Sequence, residues 1–189
     1  MKKLIKTFGW NLRVISFACL FLFTASCAAD NTASDSALAA IDEVRSVLAL
    51  PLSPLEFVED GSMVNSPNGG MKIAVYQDTE GRLYSFAPET GAVLEIDARV
   101  MLPARSAGTD SKPALDLEKT VFTYAQSLVP DFEARQSTLS YEASAKGDNY
   151  FFTWYGEMQP GDTNRPFLQF GINKDGILFA YYNTLDLED

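Results

Sequence analysis

Histidine is missing from all 189 residues, and cysteine occurs only twice, as Cys19 and Cys27. Without an imidazole the chain lacks the commonest metal ligand and the commonest general base. A Ser-His-Asp triad is thereby excluded, and no nucleophile motif surrounds Ser127 or Ser140. Long apolar runs are missing too. The main one, "VISFACLFLF" at residues 14–23, covers only ~15 Å of a ~30 Å hydrocarbon slab as a helix, too little for a permanent span. Basic charge is scarce: 15 Lys and Arg stand against 25 Asp and Glu. An acidic surface of this kind repels phosphate backbones and anionic headgroups, which argues against nucleic-acid or polybasic membrane binding.

What is present begins with the first thirty residues. Lys2, Lys3, Lys6 and Arg13 precede or flank the apolar run, no acidic residue appears before Asp30, and small residues Ala25 and Ser26 follow. A basic start, a short apolar core and small residues are the parts of a secretory signal, here residues 1–26. Two cleavage schemes fit. A general signal peptidase could use small residues such as Ser26 and Ala28. Alternatively, Thr24-Ala25-Ser26-Cys27 resembles a bacterial lipobox, although that family usually has an aliphatic residue where Thr24 stands.

The lipobox resemblance implies that Cys27 becomes the lipid-modified first residue of the mature chain. Cysteine arithmetic agrees with it: Cys19 leaves with the signal, so the mature chain holds one thiol and no internal disulfide. Each buried methylene adds about 0.8 kcal/mol, so several acyl chains anchor firmly. The expected location is the extracytoplasmic side of the cell envelope, with the membrane engaged through lipid on Cys27. Ala28 is not the Asp that marks inner-membrane retention, which favours an outer membrane if the host has two. Loss of residues 1–26 removes four basic groups and no acidic one, leaving 163 residues with a net charge of −14.

Residues 27–36 are small and polar and read as a flexible tether. From Ala37, apolar positions Leu38, Ile41, Val44 and Leu48 follow helical spacing, with Asp35 or Ser36 as N-cap and Pro51 closing the run. Strands are predicted at 55–60, 71–77, 82–87 and 92–100, broken by Gly-, Asn- and Asp-rich turns. Residues 101–113 hold two prolines and a glycine without periodicity and read as a linker. The programme then restarts, with a helix from Asp116 to Val129 ended by Pro130 and strands at 136–143, 149–156, 166–173 and 176–183.

This pattern reads as an internal repeat. "KIAVYQ" aligns with "FFTWYG" at an offset of 79, and "LYSFAPETGAVLEID" with "LQFGINKDGILFAYY" at 85, the difference lying in an extended hairpin at 157–166. The predicted fold class is α+β: two similar units, 37–100 and 114–189, each one helix packed on an antiparallel sheet of about four strands. Alternation sends Tyr150, Phe152 and Trp154 to one face and Phe151, Thr153 and Tyr155 to the other. It likewise sets Ile177, Phe179 and Tyr181 against Leu178, Ala180 and Tyr182. Both faces are apolar, so one is predicted to meet the helix and the other a second unit, a partner or a ligand.

The block "TNRPFLQFGINKDGILFAYYN", preceded by the helix "DLEKTVFTYAQSL", resembles the PepSY-like family, as does "LYSFAPETGAVLEID" in the first unit. Ala87 departs from the Asp common there. The resemblance implies a helix laid on an antiparallel sheet, repeated in tandem. It also implies an extracytoplasmic module that binds or restrains another envelope or secreted protein, a peptidase among the possibilities, without catalytic residues of its own. The alternative roles are a structural or assembly lipoprotein of the envelope and a hydrolase using carboxylates.

For the last, Glu157 and Asp162 share one hairpin and could approach each other as paired carboxylates. Asp60, Ser62 and Asn65 offer oxygen ligands but not the EF-hand spacing, and neither a metal nor a cofactor is expected. The candidate interaction surface is Trp154, Tyr155, Glu157, Asp162, Arg165 and Tyr182, because exposed aromatic residues beside an Arg suit a protein interface better than a catalytic cleft.

Overall fold

The computed structural model describes residues 34–67, 69–102 and 114–187. The signal at 1–26, Cys27 and most of the expected linker lie outside the described residues. Helix α1 is Asp35–Val47, so the last two positions assigned to the tether are helical, and the N-cap is Ser34, whose Oγ accepts from Ala37 N–H at 3.2 Å. Ala37 and Ile41 are buried on its inner face. Arg45 is buried as well. Its guanidinium donates to the carbonyls of Pro51 and Ser53 and lies 5.4 Å from the Tyr84 ring centre, clamping the chain that leaves the helix.

Strands β1 (Leu55–Met63), β2 (Met71–Asp78), β3 (Leu83–Ala87) and β4 (Ala92–Asp97) form an antiparallel meander. β4 stops short of the predicted residue 100 because Asp97 Oδ1 accepts from Arg99 N–H and turns the chain into a 3-10 segment, Arg99–Met101. After helix α2 (Ala114–Leu128) comes a short helix that was not predicted, α3 (Phe132–Arg135), and the first part of the strand predicted at 136–143 is a 3-10 turn, Gln136–Thr138. Asp131 at φ 53° reverses the chain there and lets Phe132 bury itself against Phe122 and Trp154. Strands β5 (Ser140–Lys146), β6 (Asn149–Tyr155), β7 (Phe167–Asn173) and β8 (Leu178–Asn183) complete a second meander.

All eight strands belong to one sheet, in the order β1-β2-β3-β4-β8-β7-β6-β5. The class is α+β, as predicted, but the four-strand sheets expected of two separate units are halves of a single ladder. β4 and β8 join them through Glu95↔Tyr182, Ile96↔Tyr181 and Asp97↔Ala180. Helices α1, α2 and α3 lie against one face. The main core gathers Ile41, Leu117, Val121 and Phe132 from the helices with Tyr84, Ile96, Trp154, Leu168, Phe170 and Tyr181 from the sheet. Burying each such side chain stabilises the fold by about 1.5–3 kcal/mol. On the opposite face Met63, Ile73, Ala87 and Leu94 form a smaller cluster with Leu187 of the last 3-10 turn.

The register corrects the repeat alignment. An offset of 79 sets Tyr76 against Tyr155, yet Tyr76 belongs to the helix-side core and Tyr155 lies on the other face beside Phe167. Matching faces requires Tyr76 against Trp154, one residue away, because a one-residue slip exchanges the two faces of a strand. The turn "NKDG" also has its geometric counterpart elsewhere. Its Gly176, at φ 86°, matches Gly81 of the β2–β3 turn at φ 87°, whereas the aligned Gly91 closes a different turn by donating to Ala87 O.

β8 departs from the predicted alternation for a local reason. A bulge between Gly171 and Ile172 inserts Phe179 as an extra residue, so Leu178 and Tyr181 share the helix side while Phe179 packs on Phe151 across the sheet. Gly171 makes room for it. A Cβ there would sit 2.7 Å from the Phe179 ring.

Candidate functional site

The helix-free face across β4, β8, β7 and β6 carries a row of polar and aromatic side chains. Tyr155 of β6 faces Phe167 of β7 at 6.3 Å between ring centres, and Phe167 faces Tyr182 of β8 at 6.2 Å. These strands pair directly, so the three rings sit on adjacent strands and touch in sequence. Arg165 closes one end. Its guanidinium lies 5.1 Å from the Tyr155 ring centre, donates through Nε to Gly156 O at 2.6 Å, and reaches Ser140 Oγ at 2.8 Å. Pinned by two hydrogen bonds, it is positioned before any ligand arrives.

Glu95 of β4 closes the other end, accepting from the Tyr182 hydroxyl. Burial raises the Glu95 carboxyl above the ordinary range despite that bond. Burial, together with the neighbouring Glu95, pushes the Tyr182 hydroxyl up to about 12. Next along β4, Asp97 accepts from Arg99, which holds the Asp97 carboxyl below its usual value. Small or neutral side chains lie between the large ones: Thr153 accepts from Gln169 at 2.8 Å, and Ala180 and Gly171 are buried. The arrangement offers π faces, an aliphatic floor and charged ends, which suits non-covalent recognition.

The hairpin between β6 and β7 reaches far across the sheet. Thr163 N–H and Oγ1 both donate to Pro67 O, at 2.7 and 3.0 Å, and Asn164 Nδ2 donates to Val64 O and Ser66 O at 2.9 and 3.0 Å. The loop of one half is thereby tied to the β1–β2 turn of the other.

Of the six predicted surface residues, Tyr155, Arg165 and Tyr182 come together in the row. Trp154 does not. It is 2 % exposed and packs against Phe132, Tyr141 and Phe170 on the helix side, because it occupies the opposite parity of β6 from Tyr155. Asp162 turns inward on its own loop, accepting from Gln159 N–H at 2.6 Å. Glu157 is exposed and lines a hollow of about 270 Å³ with Arg135, Thr138, Leu139 and Gln159, a lining that does not include Asp162. The two carboxylates therefore lack the shared cavity that paired acid–base chemistry requires.

Phe167 and Glu95 were missed by sequence reasoning. Phe167 was legible from parity, since it lies an even number of positions from Gln169 and Gly171 and opposite Tyr155. Glu95 was not, because its place depends on the β4–β8 pairing between distant segments. Among the described residues no helix is long and apolar enough to cross a membrane, and no cluster of three metal-ligating side chains occurs. No protein-family model matches the chain, and no curated protein or solved structure matches it significantly.

Proposed function

We propose that this chain is a lipid-anchored, extracytoplasmic binding module that holds another envelope or secreted protein on the helix-free face of its sheet. The observation that carries this reading is the row Arg165–Tyr155–Phe167–Tyr182–Glu95, a pre-positioned set of aromatic rings between two charged ends. Tyr and Arg are the side chains that dominate protein interfaces. The anchor rests on residues 1–28 and on Cys27 as acyl acceptor. The finer architecture we infer is a duplicated helix-plus-four-strand unit, joined edge to edge at β4 and β8. It is supported by the mirrored strand order and by the turn shared between residues 78–82 and 173–177.

The test places a photoreactive phenylalanine analogue at position 167 of the lipidated chain in its native membrane, with position 123 on the outer side of α2 as control. A discrete adduct from 167, absent from 123 and weakened by Arg165→Ala, is expected. Equal adducts from both positions, or none from 167, would sink the proposal. Acyl labelling lost in Cys27→Ser tests the anchor separately.

A further inference from the structure

The two outer strands of the sheet are protected very differently. β1 is interrupted by a bulge between Phe57 and Glu59, and it presents Glu56, Glu59 and Asp60 with no basic residue. Both are standard ways to keep a free edge from pairing with another chain. β5 has neither. It is paired to β6 without interruption through seven residues, Ser140↔Tyr155 to Lys146↔Asn149, contains no Pro or Gly, and is exposed along its whole length. A straight, exposed strand end of this kind is a template for a further strand.

The side chains of β5 say which strand. Glu142 and Lys146 point to the same face, four residues apart, and neither makes an ion pair within the chain among the described residues. If β5 lies antiparallel to its own copy about a two-fold axis at Ser144, Glu142 falls opposite Lys146 of the second copy, and Lys146 opposite its Glu142. On the helix side the same register sets Ala143 opposite Ala145 twice. Small side chains there let the two sheets meet without a clash, and two cross-strand charge pairs fix the register. The same operation on β1 would face acid with acid. A foreign acidic or basic strand could satisfy only one of the two charges at a time, whereas a second copy satisfies both.

We propose that β5 is a self-association edge, through which two copies of this chain join their sheets antiparallel about Ser144 into one sixteen-stranded layer. The contact is isologous, so it closes at two copies and leaves the β1 edges at the outside, where the bulge and the acids stop further growth. The aromatic row of each copy faces the same side of the joined layer, because a two-fold axis normal to the sheet preserves its faces. This inference does not depend on the row being a binding surface.

The test is disulfide trapping in the full chain with Cys19 and Cys27 replaced by Ser. Ser144→Cys places two thiols directly opposite each other, so mild oxidation is expected to yield a covalent dimer, while Asp60→Cys on β1 gives none. Sedimentation across a concentration series supplies the second readout. Glu142→Lys sets like charges across both pairs and is expected to weaken dimerisation about tenfold. Adding Lys146→Glu to it reverses the pairs and restores the affinity. A single sedimenting species of monomer mass at all concentrations, equal trapping at 144 and 60, or a double charge reversal no better than the single one would each overturn the proposal. Positions 60, 142, 144 and 146 are exposed, so the fold survives the substitutions there.

Discussion

In the turn between β2 and β3, Asp78 Oδ1 accepts from Glu80 N–H and Arg82 N–H at 3.0 and 2.9 Å. In the turn between β7 and β8, Asn173 Oδ1 accepts from Asp175 N–H and Ile177 N–H at 3.0 and 2.8 Å. The backbone is the same in both, with Gly81 and Gly176 in the left-handed region. The second oxygen makes the difference. Asp78 Oδ2 also accepts from Arg82 Nε at 2.5 Å and from the Tyr84 hydroxyl at 2.8 Å, while Arg82 reaches on to Glu80. At the place of Arg82 the other turn has Ile177, which is exposed. One half of the sheet thus closes on a buried ion network. The other closes on a turn whose acceptor is the uncharged Asn173, with Lys174 and Asp175 paired to each other at 3.6 Å, and stores its stability in the aromatic packing around Trp154.

The difference teaches how one turn geometry can serve two energetic regimes. An Asx turn needs only one side-chain oxygen, so Asp and Asn are equivalent for the backbone. Only Asp can in addition hold a buried guanidinium. That leaves Arg82, 1 % exposed, dependent on a single residue for its nearest countercharge.

The largest effect is expected from Trp154→Ala, which empties the centre of the second half. A loss of about 3–5 kcal/mol, read from chemical denaturation, is anticipated. Asp78→Ala follows closely, at about 3 kcal/mol, because it removes the turn acceptor and strands the Arg82 charge, leaving Glu80 as its remaining partner. The matching Asn173→Ala removes a turn acceptor without stranding a charge and should cost only about 1–2 kcal/mol. If the two turn mutants cost the same, the contrast between the halves is wrong.

Acidity sharpens the comparison at a smaller scale. Burial would raise the Asp78 carboxyl, but the bonds from Tyr84 and Arg82 outweigh it and hold it below the ordinary value. A depressed carboxyl contributes stability that is present above its unfolded pKa and is lost as pH falls through the folded one. Denaturation midpoints of the wild type should therefore drop below about pH 4, and Asp78→Asn should flatten that slope. Glu95 has the opposite sign. Its raised carboxyl favours the folded state below the unfolded pKa and loses that advantage as pH rises through the folded pKa. Glu95→Gln should accordingly stabilise the chain at neutral pH by less than about 1 kcal/mol, with the gain vanishing in acid.

Much of this was legible along the chain. Apolar spacing located α1 and α2, and turn residues located all eight strands to within a few positions, because both signals depend on residues close in sequence. The errors have local causes as well. The 3-10 turn Gln136–Thr138 replaced a strand start because it continues α3, where Phe132 found a place against Trp154, and Phe179 changed face because a bulge shifted the parity behind it. Of the candidate surface, Tyr155 and Arg165 are neighbours because they flank the same extended β6–β7 hairpin, and Tyr182 follows from one more strand. Trp154 was misassigned because an alternating strand with two apolar faces does not say which face the helix will choose.

What the sequence by itself determined was the list of elements, the absence of imidazole chemistry, the acidity of the surface and the turn types, all properties of composition or of short windows. Only the tertiary structure decided that β4 meets β8, and with it that eight strands make one sheet and that Glu95 ends the aromatic row. It also decided that Thr163 and Asn164 would reach the β1–β2 turn about a hundred residues earlier. Such contacts join segments with no sequence signal in common. They are selected by which exposed edges and carbonyls remain once the local elements have formed, and by the cost of leaving those groups unpaired.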